Sequence, residues 1–186
     1  MIKLYFGMDG VLAKYDSKIY KKDPITRKTP VDTKDKHCFR SLQADNRMIN
    51  VIFHFLNQNV GPKIHVISAL AKEGSIFMEQ YYDKVAWLEH NVPNLLIDNF
   101  HPIIAGRRNI EIFIDNQKLC LTDILIDSDL DNLHNWQIAG GTAVKYVNSF
   151  NYDEGWDGLR ISQDMSSSDI ADMLAVIAKA NQSFHE

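Results

Sequence analysis

The sequence predicts an α/β domain built on a mainly parallel sheet. Short apolar runs rich in β-forming residues recur along the chain, and segments with apolar residues at helical spacing lie between them. The strand candidates are apolar at successive positions, as expected of strands covered by helices on both faces. The 186 residues, 45 % of them hydrophobic, suffice for one substantial core and are short for two. A single domain over 1–186 is therefore expected, with a small insertion at roughly 14–60, after the first strand.

Ile2 to Phe6 reads as a buried strand that opens at Gly7 and Gly10 into a tight loop. Residues 13 to 42 are polar, with Pro24, Pro30 and many lysines, and read as loop and the start of the insertion. Asp45 to Gln58 places Met48, Ile49, Ile52, Phe53 and Phe55 at helical spacing. Lys63 to Ser68 (KIHVIS) is the second strand. Ser75 to His90 follows as an amphipathic helix, with Phe77, Tyr81, Val85 and Leu88 as its apolar stripe.

Leu95 to Ile97 and Ile110 to Ile114 are shorter strand candidates. Asp123 to Asp127 (DILID) is a further strand. Leu130 to Ala139 reads as a short helix ended by Gly140 and Gly141, and Thr142 to Val147 as the last strand. The C-terminal helix, from Ser168, carries Ile170, Met173, Leu174, Val176 and Ile177 on one stripe, with Ser166 and Asp169 as its capping pair. Ligands of such sheets bind beyond the C-terminal strand ends, which is where Gly7–Gly10, Ser68 and Asp127–Asp129 fall.

Composition excludes several classes. The formal net charge is −4 and no long Lys/Arg cluster occurs, which argues against a nucleic-acid polymer as ligand. Cys38 and Cys120 match no metal-ligand spacing, and the seven histidines form no zinc pattern. No apolar run approaches the roughly 20 residues of a membrane span, and MIKLYFGMDG lacks the apolar core of a signal peptide. A soluble, cytoplasmic protein without a membrane partner is the expectation.

Three segments carry a resemblance: LYFGMDGVLAKYD, HVISAL and DILIDSDLDNLHNWQIAGGTAVKYVN, with YYDKVAWLEHNVP between the last two. In this order they resemble the haloacid dehalogenase (HAD) superfamily, and within it the 5′(3′)-deoxyribonucleotidase group. The resemblance implies a HAD-like Rossmannoid three-layer sandwich with a small cap insertion after the first strand. It also implies a mechanism. A first aspartate attacks phosphorus, a second one two residues later acts as acid and base, and Mg²⁺ and a lysine neutralise the phosphate charge.

Carried over residue by residue, the resemblance gives Asp9 as the acid/base position and Ser68 as the phosphate-binding hydroxyl. Asp127 and Asp9 become the metal carboxylates, and the amides of Met8 and Gly10 a cradle for phosphate. The nucleophile position is Gly7, which has no side chain. Ser128 replaces the second carboxylate of an Asp-Asp pair, with Asp129 next to it as a partial substitute. The family lysine falls on Asn109 in one alignment and on Lys118 in another. Lys84 reads as a solvated helix position or an ion-pair partner, and Trp87 and Trp136 as core.

Glycine at position 7 closes the covalent route and removes an oxygen ligand, so Mg²⁺ binding is expected to be weakened. The resulting expectation is a catalytically degenerate nucleotidase-like protein that binds a nucleotide or another small phosphorylated ligand, with low or no phosphatase activity. Its rivals are an active Mg²⁺-dependent phosphomonoesterase on deoxynucleoside monophosphates and an interaction protein without a ligand. Base preference, sugar preference and oligomeric state are not legible in the sequence.

Overall fold

In the computed structural model, residues 1–17, 38–58, 60–71, 74–104, 110, 113–114, 118–152 and 155–183 are described. Six strands, β1 (Lys3–Gly7), β2 (Lys63–Leu70), β3 (Phe100–Ile104), β4 (Asp123–Asp127), β5 (Thr142–Tyr146) and β6 (Leu159–Ile161), form one sheet in the order β3-β2-β1-β4-β5-β6. Every pairing is parallel. The helices are α1 (Asn46–Leu56), α2 (Gly74–Asn91), α3 (Leu130–Ile138) and α4 (Ser167–Ser183).

Strand alternation divides the interior in two. Leu4, Phe6, Ile64, Val66, Ile124 and Ile126 face a large core closed by α1, α2 and α4. Tyr5, Ile67, Leu125 and Ala143 face a smaller one closed by α3 through Leu133 and Trp136. Helices on both faces explain why the strands carry no polar alternation; β4 is buried at all five positions. α1 buries Met48, Ile49, Val51, Ile52 and Phe55 in the main core and lies against α4. Residues 18–37, part of the expected insertion at 14–60, lie outside the described residues.

The helix ends follow the side chains available. Asp45 caps α1 by accepting from the Arg47 N–H at 3.1 Å. Ser166 and Asp169 form the reciprocal capping pair of α4: Asp169 N–H donates to Ser166 Oγ at 3.2 Å, and Ser166 N–H to Asp169 Oδ2 at 3.2 Å. α3 ends at Gly140, whose φ of +96° is the left-handed conformation that stops a helix.

Four expectations need correction. Leu95–Ile97 is not a strand. Leu96 and Ile97 are exposed there, and the strand starts at Phe100 instead. β3 contains Pro102, which lacks the N–H a central strand would donate and is accommodated because β3 is an edge. The described members of 110–114, Ile110, Phe113 and Ile114, have helical backbone. β6 was not anticipated, since two of its three residues are exposed and leave almost no apolar signal. The buried face of α2 is also rotated from the expected stripe, onto Gln80, Asp83, Lys84, Trp87 and Leu88.

Candidate functional site

The site is assembled at the C-terminal ends of β1, β2 and β4. Beyond Gly7 the chain turns sharply, because the Met8 carbonyl accepts from the N–H groups of Leu12 and Ala13 at 3.0 and 2.9 Å. Gly10 sits at φ +77°, and a Cβ there would lie 2.3 Å from a ring carbon of Tyr15. Only glycine satisfies both conditions. This turn presents Asp9 to Ser68, near the end of β2, and to Lys84 on α2.

Those three side chains form a closed cluster. Lys84 Nζ donates to Asp9 Oδ2 at 2.6 Å, to Ser68 Oγ at 2.6 Å and to the Ala69 carbonyl at 2.9 Å. Ser68 Oγ donates to Asp9 Oδ2 at 2.8 Å. Lys84 is completely buried, with its ammonium 4.2 Å from the centre of the Phe39 ring. A buried ammonium is tolerated when its three protons find acceptors and an opposite charge is in contact, and both hold here.

On the other side of Gly7 stands Asp127. A Cβ at position 7 would lie 3.1 Å from the Asp127 carboxyl carbon and 3.2 and 3.3 Å from its oxygens. The Asp129 N–H donates to Asp127 Oδ1 at 2.9 Å and the Asn132 side-chain amide to Oδ2 at 3.1 Å. Burial, reinforced by the nearby Asp129 charge, pushes the Asp127 carboxyl up to about 7. Ser128 Oγ donates to the Asp9 carbonyl at 3.3 Å and shares a 3.2 Å hydrogen bond with the Tyr15 hydroxyl.

The structure thus brings together Gly7, Asp9, Ser68 and Asp127 as the sequence suggests, and alters the remaining assignments. The Met8 N–H is spent on the Ile67 carbonyl at 2.9 Å, because the β1–β2 ladder continues one residue past the strand. The Gly10 N–H closes the turn onto Ala13 O at 2.7 Å. Neither amide forms the expected cradle. Lys118 precedes β4 and lies at its N-terminal end, the opposite end from Asp127, so it is not a phosphate contact. Asn109 lies outside the described residues. Asp129 does not replace the lost carboxylate; it caps α3 through the Asn132 N–H at 3.0 Å.

The lysine of the site is Lys84, an ion-pair partner but not a solvated one. A signal for it existed. Lys84 lies seven residues after Phe77 and four before Leu88, on the apolar side of an otherwise weakly patterned helix. A second buried lysine, Lys145, is in register with Asp127 on β5 and donates to the Asn151 carbonyl at 3.3 Å.

A cavity of about 530 Å³ lies beside this cluster, lined by Lys14, Tyr15, Arg47, Tyr146, Asn148 and Phe150 among others. It shares Gly10 and Tyr15 with the turn, but Asp9, Ser68, Lys84 and Asp127 do not line it. Its Arg47 is committed to structure: it pairs with Asp45 at 3.2 Å, donates to Tyr146 Oη at 2.6 Å and reaches the carbonyls of Ser162, Gln163 and Met165.

Two solved structures share this arrangement of strands and helices. One is a HAD family hydrolase from Deinococcus radiodurans R1 with bound phosphate and sodium. It has 10% sequence identity and a TM-score of 0.58, over 95% of this chain and 96% of that one. The other is a HAD-superfamily hydrolase from Ehrlichia chaffeensis, with 13% identity and a TM-score of 0.53 over 94% and 96% of the two chains. The fold is that of the HAD hydrolases. No family model matches the chain, and no curated protein does. Among the described residues, no helix is long and apolar enough to cross a membrane.

HAD hydrolases generally use Mg²⁺, and Asp127 and Asp9 are its expected ligands here. The residues do not fit it. Position 7 offers no oxygen, both Asp127 oxygens accept amide hydrogen bonds, and Asp9 is already neutralised by a lysine in direct contact. Among the described residues, no three His, Cys, Asp or Glu side chains converge as a metal site.

Proposed function

We propose that this HAD-like chain binds a small phosphorylated ligand, a nucleotide in the first instance, without normal turnover. One observation carries this reading: where the phosphatase reaction needs a carboxylate, β1 ends in Gly7, and the Asp127 carboxylate stands against its backbone. The carboxylate nearest in sequence, Asp9, is bound to Lys84 and Ser68 and so is a poor nucleophile. The binding half of the proposal is supported by Ser68 and Lys84, a hydroxyl and an ammonium held side by side at the strand ends. The fold itself accommodates phosphate, as the D. radiodurans protein carries it. Nucleotidase-like ancestry is supported by the motif order alone.

Phosphate release from a panel of nucleoside and deoxynucleoside monophosphates in Mg²⁺ is the test. The expected outcome is no release above background, together with a rise in melting temperature when the ligand is present. Turnover that disappears in Asp9→Asn would overturn the proposal. Restoring the carboxylate with Gly7→Asp is expected to give no turnover. The new side chain must displace Asp127 by a few tenths of an ångström and would place two carboxylates together.

A further inference from the structure

The cluster that would receive the phosphate already contains its own cation. Lys84 cannot leave, since it is fully buried and anchored at three acceptors. Its charge is neutralised by Asp9, the member of the cluster that retains a solvent-facing edge, with 18% of its side chain exposed. An incoming anion therefore meets Asp9 first and must compete with it for the donors of Lys84 and Ser68. Meanwhile the space between the Met8–Ala13 turn and the end of β4 is closed by hydroxyl groups. Tyr15 bonds Ser128, and Ser128 bonds the Asp9 carbonyl. Asn148 and Asn151 tie the same two segments down, at 2.9 Å to the Gly10 and Ser128 carbonyls.

Resting on the phosphate-binding reading above, we propose that the site takes a phosphate group without a divalent cation, by exchanging it for the Asp9 carboxylate on Lys84 and Ser68. A metal-bridged site holds its anion through carboxylates that share the cation, so removing a carboxylate weakens binding. In an exchange site the carboxylate is the competitor, and removing its charge strengthens binding. The two arrangements therefore predict opposite signs for a single substitution.

The experiment is calorimetric titration of inorganic phosphate and of a deoxynucleoside monophosphate into the full chain, in excess EDTA and in excess Mg²⁺. A parallel titration uses Mg²⁺ alone. The expected result is equal affinity in both media, no saturable Mg²⁺ binding, and affinity about tenfold higher in Asp9→Asn, the scale of one charge-assisted hydrogen bond gained. Binding to Asp9→Asn in EDTA when the wild type is silent also supports exchange. Phosphate binding that requires Mg²⁺ overturns the proposal, as does a saturable Mg²⁺ site that disappears in Asp127→Asn. The comparison of media on the wild-type chain stands even if the variant folds poorly. Silence of both proteins toward both ligands, in both media, overturns the phosphate reading itself and this proposal with it.

Discussion

Strand β4 carries an aspartate at each end, and the two live in different chemistry. Asp123, at the N-terminal end, pairs with Lys3 at 3.0 Å and accepts the Cys120 N–H at 3.0 Å. Asp127, at the C-terminal end, is equally buried, yet among the described residues its partners are amide groups, and it stands against the bare backbone of Gly7. The first is a buried charge with a counter-charge, as stable interiors require. The second is held at a cost. That cost falls at the end of the sheet where ligands of this architecture sit.

The largest break in this comparison is at Lys84, the cation that serves the Asp127 end indirectly through Asp9. Lys84→Met removes the counter-charge of Asp9 in a mostly buried place. It should cost about 3 kcal/mol of unfolding free energy in urea titrations. The double variant Asp9→Asn/Lys84→Met should recover part of that loss, because no orphaned charge remains. A double variant as unstable as the single one would show that packing against Phe39, not the ion pair, sets the role of Lys84.

The next test uses the same substitution at both ends of β4. The folded-state pKa of Asp127 is raised from 3.8 to about 7, so between these values the folded chain holds a proton that the unfolded chain has released. Stability from this group therefore falls as pH rises through that window, and the full cost is present above about pH 7. Asp127→Asn should raise the unfolding free energy at pH 8 by on the order of a few kcal/mol, read as a higher melting temperature, and change little below pH 3.8. Asp123→Asn should do the reverse at neutral pH, losing about 1 kcal/mol with the half-exposed Lys3 pair. Equal signs at pH 8 would remove the distinction between the two ends.

Much of this arrangement was legible in the sequence, and the exceptions have physical reasons. β1, β2, β4 and β5 announce themselves as continuous apolar runs because helices cover both their faces. β3 and β6 do not: one is an edge interrupted by Pro102, the other only three residues long. Asp9, Ser68 and Asp127 were legible because motif order places each at a strand end. Lys84 was legible only as a solvated helix position or an ion-pair partner, since a lysine on a helix is usually solvated, and its burial follows from the rotation of α2 about its axis. The use of the Met8 and Gly10 amides was hidden too, because only the three-dimensional turn reveals which N–H groups are already committed.

The smallest effect tests the Asp123 side of the comparison. Across the sheet from Lys3 and Asp123, His65 of β2 and His101 of β3 share a hydrogen bond of 2.9 Å, with His65 stacked on Tyr5 at 4.7 Å. No sequence spacing joins these histidines; the strand register does. Burial, then the facing His101, then Lys3 and Lys63 drive the His65 pKa from 6.5 down to about 4. Between those values the unfolded chain binds a proton that the folded chain refuses, so stability falls as pH drops from about 6.5 to about 4. This slope is opposite in sign to that of Asp127. Replacing both rings, His65→Phe/His101→Phe, keeps the stacking surface and leaves neither nitrogen unpaired. Between pH 7 and pH 4 the melting temperature of this variant should exceed that of the wild type by a margin that grows as pH falls, since the opposing Asp127 contribution over the same window is common to both. If the acid limb is as steep in the variant, the histidine pair is not its source, and the acid sensitivity belongs to carboxylates such as Asp45, whose pKa is held low by the Tyr146 and Arg47 hydrogen bonds against its burial.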